Sequence, residues 1–170
     1  MRTNNGILKI NALEFPKITF VSNAGDYYII DLREFFDEIE IKEGDFGYEV
    51  IVDEEVFNQV TLEDNALAWK NVTKQIELPS GTTFETYFHL DPLTTIEHAE
   101  IDHKLNAIQH LRKQIKTLRK TLGLTQQELG ERIGSNKSYI SRIENTDSDL
   151  ELKTLRKIFE VGFDKKLYIG

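Results

Sequence analysis

The residues best placed to do chemistry lie between Thr125 and Asn145, TQQELGERIGSNKSYISRIEN. Their chemistry would be recognition, not bond-making. Asn136, Lys137, Ser138, Ser141 and Arg142 fall on one side of a helix whose other side carries Ile140 and Ile143. Small, polar and cationic groups on an open helical face suit hydrogen bonding in a DNA major groove. The other constellations offer less. His98 and His103 are five residues apart, off one helical face, and His103 and His110 are seven apart, roughly 10 Å along a helix. No metal site is expected from them, nor from His89. The many carboxylates, among them Asp37, Glu38, Glu40 and Glu43, show no ligand spacing and no paired acid and base. Neither a phosphate loop, a nucleophile elbow nor a dinucleotide fingerprint is present. No enzymatic activity and no cofactor are therefore expected.

Two short helices around a turn would position the recognition residues. Thr125 and Glu128 have the Thr-x-x-Glu spacing of a capping box. Leu129 and Ile133 lie one turn apart, and Gly130 sits where a large side chain would hold a second helix off. Gly134 comes after Ile133, where the first helix must stop and positive φ is cheap. Either Ser135 or Asn136 can cap the next helix.

These residues resemble the helix-turn-helix of the phage-repressor (Cro/repressor, XRE-like) family. The resemblance spans roughly Ile108 to Phe159 and rests on Gln126, Leu129, Gly130, Ile133, Gly134, Ile140 and the closing Ser141-Arg142-Ile143-Glu144-Asn145, behind Leu122-Gly123-Leu124-Thr125. It implies base contacts from Lys137, Ser138 and Arg142. Arginine can donate two parallel bonds to a guanine edge, giving about 1–3 kcal/mol of discrimination. The resemblance also implies a phosphate contact from Gln126, helped by the helix dipole, and backbone contacts from Asn136 and Ser141. Lys116, Lys120 and Arg132 could add Coulombic attraction. Arg119 and Glu144 are implied to form a structural ion pair tying the first helix to the end of the recognition helix. One departure is the acidic Asn145-Thr146-Asp147-Ser148-Asp149, where such proteins often carry basic residues.

The charge of the chain is divided. Residues 1–102 hold 7 Lys and Arg against 21 Asp and Glu, whereas residues 103–170 hold 14 against 8. The net −8 therefore hides a basic lobe. Charges more than about 8 Å from a phosphate are largely screened at physiological salt, so the acidic lobe need not forbid DNA. There is no cysteine, so no disulfide or thiolate site can form. The opening MRTNNGILKINALEF has no apolar core of signal-peptide length, and no run is long enough to cross a bilayer. A cytoplasmic protein with no membrane contact is expected.

Ahead of this region, a short strand is expected near Ile7–Ile10, a hairpin from Phe15–Val21 and Tyr27–Asp31, and a helix over Leu32–Ile39 with Asp31 as cap. Tyr48–Gln59 reads either as a strand or as one helical turn at Asp53–Phe57. Val60–Leu62 and Ala66–Trp69 read as a hairpin. Gln75–Leu78 and Thr82–Phe88 form another hairpin, or a strand and then a short helix. This part loosely resembles a bacterial α+β domain family of unknown function, found with repressor-type regulators. The shared features are Tyr28-Ile29-Ile30-Asp31-Leu32, Val56-Phe57-Asn58-Gln59-Val60 and Leu67-Ala68-Trp69.

The boundary is expected at Asp91-Pro92, giving an acidic α+β domain over 1–92, a helical linker over 93–107 and a helix-turn-helix domain over 108–170. Ile101, Leu105, Ile108, Leu111, Ile115, Leu118 and Leu122 recur with a period of about 3.5. The pattern allows one helix from Ile96 onward or a break near Asn106. It also allows the seam to be buried within the chain or shared with a second subunit. Ser148 and Glu151 could cap a last helix carrying Leu152, Leu155, Ile158 and Phe159. Gly162 would end it, and a short strand could come next over Phe163–Ile169.

The expected fold class is α+β: a small N-terminal domain with an antiparallel sheet, plus an all-α lambda-repressor-like domain. The expected function is sequence-specific transcriptional regulation by a homodimer on double-stranded DNA. An antitoxin-like role, with a basic toxin held by the acidic lobe, is one form of it. The alternative is an interaction or dimerisation module without DNA binding.

Overall fold

The computed structural model describes residues 6–146 and 150–167. The chain divides into two compact units, Met1–Asp102 and His103–Gly170. The first holds strands β1 (Ile7–Glu14), β2 (Lys17–Ser22) and β3 (Tyr27–Asp31), then helices α1 (Leu32–Glu38) and α2 (Glu54–Phe57). Strands β4 (Thr61–Glu63), β5 (Ala66–Glu77) and β6 (Thr83–His89) come next, then helix α3 (Pro92–His98) and the two-residue strand β7 (Glu100–Ile101). Two antiparallel sheets result, ordered β1-β2-β3-β7 and β4-β5-β6. The second unit is helical: α4 (His103–Thr121), α5 (Gln126–Arg132), α6 (Lys137–Asn145) and α7 (Leu152–Arg156), the last widening into a π-type turn over Lys157–Gly162. The fold class is α+β, as expected.

Local chemistry accounts for most of these boundaries. Asp31 ends β3 and caps α1, its Oδ1 accepting from the Arg33 amide at 3.0 Å. Leu32, Phe35 and Phe36 then turn one buried face inward. Asp64 and Asn65 both adopt positive φ, 49° and 66°, the geometry of the two-residue turn between β4 and β5. Ile18, Phe20, Ile30, Phe36, Phe57, Trp69 and Phe88 form one buried cluster drawing on both sheets and the helices between them. Trp69 is fully buried and gives its indole N–H to the Phe57 carbonyl at 3.1 Å. A buried indole needs such an acceptor.

Some expectations left open are resolved and others corrected. Of the two readings of Tyr48–Gln59, the helical one holds: a 3-10 turn at Tyr48–Ile51 is followed by α2, capped by Asp53. The strand expected near Ile7–Ile10 runs on to Glu14, because β2 offers it a partner throughout. Ala66–Trp69 and Gln75–Leu78 are not separate strands. All but Leu78 belong to β5, which ends at Glu77 and carries a register shift between Trp69 and Thr73 opposite β6. Of the two readings of Gln75–Leu78 and Thr82–Phe88, the hairpin holds, with β6 over Thr83–His89.

The stretch 93–107, expected as one helical linker, is broken by a strand. Asp91 caps α3, with the Thr94 amide 2.9 Å from its Oδ1, but the helix stops at His98. Glu100 and Ile101 then pair with Ile29 and Tyr28, completing the edge of the first sheet, and the Asp102 amide donates to the Tyr27 carbonyl. The next helix starts only at His103. Ile101 is thus a strand residue and no part of the helical seam, and the first unit extends to Asp102 instead of 92. The Ser148 half of the expected capping box lies outside the described residues, and the Glu151 side chain makes no capping bond. No strand forms over 163–167; Tyr168 and Ile169 lie outside the described residues.

Phe36 is fully buried, so Phe36→Ala leaves a cavity costing about 3–5 kcal/mol. The single tryptophan lies in this core. Its fluorescence in a urea titration should report an unfolding free energy lowered by that amount, with a correspondingly lower midpoint.

Candidate nucleic-acid interface

α5 and α6 form a tight helical pair. The capping box at the start of α5 is complete. The Glu128 amide donates to Thr125 Oγ1 at 3.1 Å, and the Thr125 amide donates to Glu128 Oε2 at 2.7 Å. The Thr125 amide and hydroxyl hold the Glu128 carboxyl below its usual range. Gly134 ends the helix at φ 63°, and the Ser135 amide donates to the Gly130 carbonyl at 2.7 Å. Asn136, rather than Ser135, is the cap of α6, its Oδ1 accepting from the Tyr139 amide at 2.9 Å.

Gly130 is the point of closest approach. A Cβ there would lie 2.8 Å from the Asn136 carbonyl carbon and 2.9 Å from its oxygen. Both are backbone atoms, so no rotamer change could make room. The absence of a side chain therefore sets how closely α6 can lie on α5.

Beneath this pair lies a buried ion pair. Arg119 Nε donates to Glu144 Oε1 at 2.6 Å and Nη2 donates to Oε2 at 2.9 Å, a bidentate fork. Arg119 Nη1 donates to the Leu124 carbonyl at 2.8 Å, and Gln126 Nε2 donates to Glu144 Oε2 at 2.8 Å. Burial alone would raise the Glu144 carboxyl, but the bonds from Arg119 and Gln126 outweigh it and hold the carboxyl below its usual range. The same carboxylate raises the Arg119 guanidinium further. Lys116 Nζ donates to Asn145 Oδ1 at 3.1 Å, adding a second tie between α4 and the end of α6.

Lys137, Ser138 and Arg142 are exposed on α6, while Ile140 and Ile143 are buried on its other side. Ser141 is half-buried, and its carbonyl accepts from the Asn145 side chain at 2.8 Å. Arg142 lies over the Tyr139 ring, 5.3 Å from its centroid. The Tyr139 hydroxyl is 3.2 Å from Thr154 Oγ1. Tyr139 thus props the arginine and ties α6 to α7. Sequence reasoning misses it, although the Tyr-x-x-Arg spacing is a signal that could have found it.

Gln126 sits apart from the exposed set. It is half-buried, and its amide nitrogen already serves Glu144, which leaves its second N–H for another acceptor. Asn136 keeps its Nδ2 group free of the capping bond. Arg132 Nη1 donates to the Gly162 carbonyl at 3.2 Å, so it is used at least in part to hold the π-type turn. Lys120 is exposed. Asp147, Ser148 and Asp149 of the acidic loop lie outside the described residues. No group of three or more His, Asp or Glu among the described residues could hold a metal ion, and no described helix is long and apolar enough to cross a membrane.

Removing one partner of a buried pair strands the other, at about 3–5 kcal/mol. Arg119→Ala should therefore lower the melting temperature of the helical unit by at least about 10 °C, read as loss of amide protection in α6. The folded Glu144 carboxyl titrates below its unfolded value of about 4.3, so its contribution is fully present above that pH and is lost as pH falls through the lower folded value. Glu144→Gln should flatten the acid dependence of α6 protection below about pH 4.3.

Comparison with known proteins agrees with this geometry. No curated protein and no solved structure matches the chain. Residues 115–161 match a family model described as helix-turn-helix, which is of the XRE-like, lambda-repressor type. That stretch runs from Ile115 in α4, through α5 and α6, into the π-type turn after α7. Over residues 115–161 this chain is accordingly similar to helix-turn-helix proteins of the DNA-binding regulator type.

Proposed function

We propose that this protein is a sequence-specific transcriptional regulator that reads the major groove with the helix over 135–145. The observation that carries the reading is the exposed row of Lys137, Ser138 and Arg142 on a helix locked from behind by Glu144. Rigid backing fixes where those side chains point, and direct readout needs that. Arg142 is assigned bidentate contact with a guanine edge, and Lys137 and Ser138 neighbouring base contacts. Asn136 and Ser141 are assigned sugar–phosphate contacts. Gln126 is assigned a phosphate contact through its second amide proton. Lys116 and Lys120 add attraction that depends on salt.

A single α6 presents few base-reading side chains, and Asp147 and Asp149, which follow it in sequence, add negative charge. Two copies reading half-sites about 34 Å apart would supply the missing affinity. The acidic unit is assigned to a basic partner protein, as in the antitoxin member of a toxin–antitoxin pair. Its 21 acidic against 7 basic residues support that assignment.

A mobility-shift assay with the DNA upstream of the protein's own gene should show retardation that weakens steeply with salt. Arg142→Ala should lose about 1–3 kcal/mol of preference for that DNA over a scrambled duplex, with the fold unchanged. Equal preference in mutant and wild type would remove Arg142 from the readout. Absence of any retardation would leave the alternative of an interaction module.

A further inference from the structure

Strands β5 and β6 run past the core that holds their base. Trp69 pairs with Phe88, then the register shifts, and Thr73–Glu77 pairs with Thr83–Tyr87. Trp69, Val72 and Phe88 are buried, whereas every residue from Thr73 to Glu85 is exposed. The result is a two-stranded ribbon of five paired residues per strand, about 15 Å long at the usual rise. A register shift of this kind bends a strand and re-aims the residues beyond it. An isolated two-stranded ribbon is marginal in water.

The two faces of the ribbon differ. Gln75 and Glu85 are cross-strand partners on one face, with Gln75 Nε2 donating to Glu85 Oε1 at 3.4 Å, and Glu77 shares that side. Ile76 pairs with Phe84 on the other. Phe84 is on the same side of β6 as Phe88, which packs into the core. The apolar face of the core thus continues outward along β6 into a stretch where the described residues leave it exposed. Phe84 is 45% exposed, and Leu78 at the turn is 42% exposed. Lys74, also on this side, turns back towards the body, its Nζ 5.7 Å from the centre of the Phe46 ring.

We propose that this ribbon is a docking arm for a basic protein segment, which lays apolar side chains on Ile76, Leu78 and Phe84 and reaches round the ribbon's edge to set its cations on Glu77 and Glu85 of the opposite face. The inference rests on the reading of the acidic unit as the seat of a basic partner, and it names the surface. Charge complementarity selects the occupant. The unit carries a threefold excess of acidic residues, Glu77 and Glu85 line the ribbon's polar face, and its one cation, Lys74, is turned away towards Phe46. Nucleic acid is disfavoured by the same charges. A second copy of the arm would bring like charges together over an apolar area well below the ~800 Å² per partner of a standard interface.

The test uses the full chain and a synthetic peptide of alternating lysine and leucine, with a glutamate–leucine peptide as control, monitored by fluorescence anisotropy. The wild type should bind the cationic peptide in a salt-sensitive way and ignore the acidic one. Ile76→Ser combined with Phe84→Ser should weaken that binding about tenfold. Because both side chains are exposed, the tryptophan-monitored stability should stay unchanged. Glu77→Lys with Glu85→Lys should weaken binding while leaving the apolar contacts in place. DNA retardation, measured on the same samples, should be unaffected by either variant. Unchanged affinity in the serine variant would overturn the arm, leaving the acidic surface at large as the seat. Equal binding of both peptides would overturn charge selection. A fall in sedimentation from dimer to monomer in the serine variant would assign the face to a second copy. No binding by the wild type would overturn the basic-partner reading itself, while DNA retardation would still judge the regulator reading separately.

Discussion

The helical unit depends on one buried contact, the fork between Arg119 and Glu144. A carboxylate and a guanidinium buried together are stable only if nearly every donor and acceptor is used. Here they are: Glu144 takes bonds from Arg119 and Gln126, and Arg119 spends its remaining contact on the Leu124 carbonyl. These four residues come from α4, the loop after it, the start of α5 and the end of α6. The pair therefore fixes three helices at once, including the far end of the one that carries the exposed row. A hydrophobic contact of equal strength would tolerate sliding; a bidentate fork fixes distance and orientation.

The other constraints act at the opposite end of the same helix. Gly130 lets the Asn136 backbone approach to a distance no side chain would allow, while Asn136 itself turns the chain into α6. The helix is thus held at its first turn by close contact and at its last turn by charge. Between them, Ile140 and Ile143 bury the inner face. The side chains left for solvent, Lys137, Ser138 and Arg142, owe their orientation to contacts on the other side of the helix. Tyr139 extends this logic outward, since it is bonded to Thr154 and lies beneath the Arg142 guanidinium.

Features of the fold set by near neighbours in sequence are legible in the chain. The Thr125–Glu128 box, the Asp31 cap, the Gly134 stop and the turn at Asp64–Asn65 are chosen by residues within four positions of one another, and each is where the residue types put it. Arg119 and Glu144 are 25 positions apart; family resemblance, not spacing, brings them together. Features that depend on a distant partner escape a local reading. Glu100–Ile101 is too short to announce itself as a strand and forms because β3 has a free edge. Ile101 also happens to extend the helical period, which draws the expected linker across a real strand. The mostly polar run Lys70–Lys74 suggests a break between Ala66–Trp69 and Gln75–Leu78, yet β5 continues through it with a register shift and Val72 buried. In the site, Gln126 reads as outward-facing because nothing local tells of Glu144, eighteen residues later.

The short strand β7 has a mechanical consequence. Only Asp102 separates its last residue from the first of α4, so the reach of the chain between the halves is set by a leash of one residue while β7 stays zipped. Detaching so small a strand would free residues 99–102 and add about 13 Å of slack. Sheet-edge pairing by two residues therefore decides how much of the chain joining the two units is free backbone and how much is sheet.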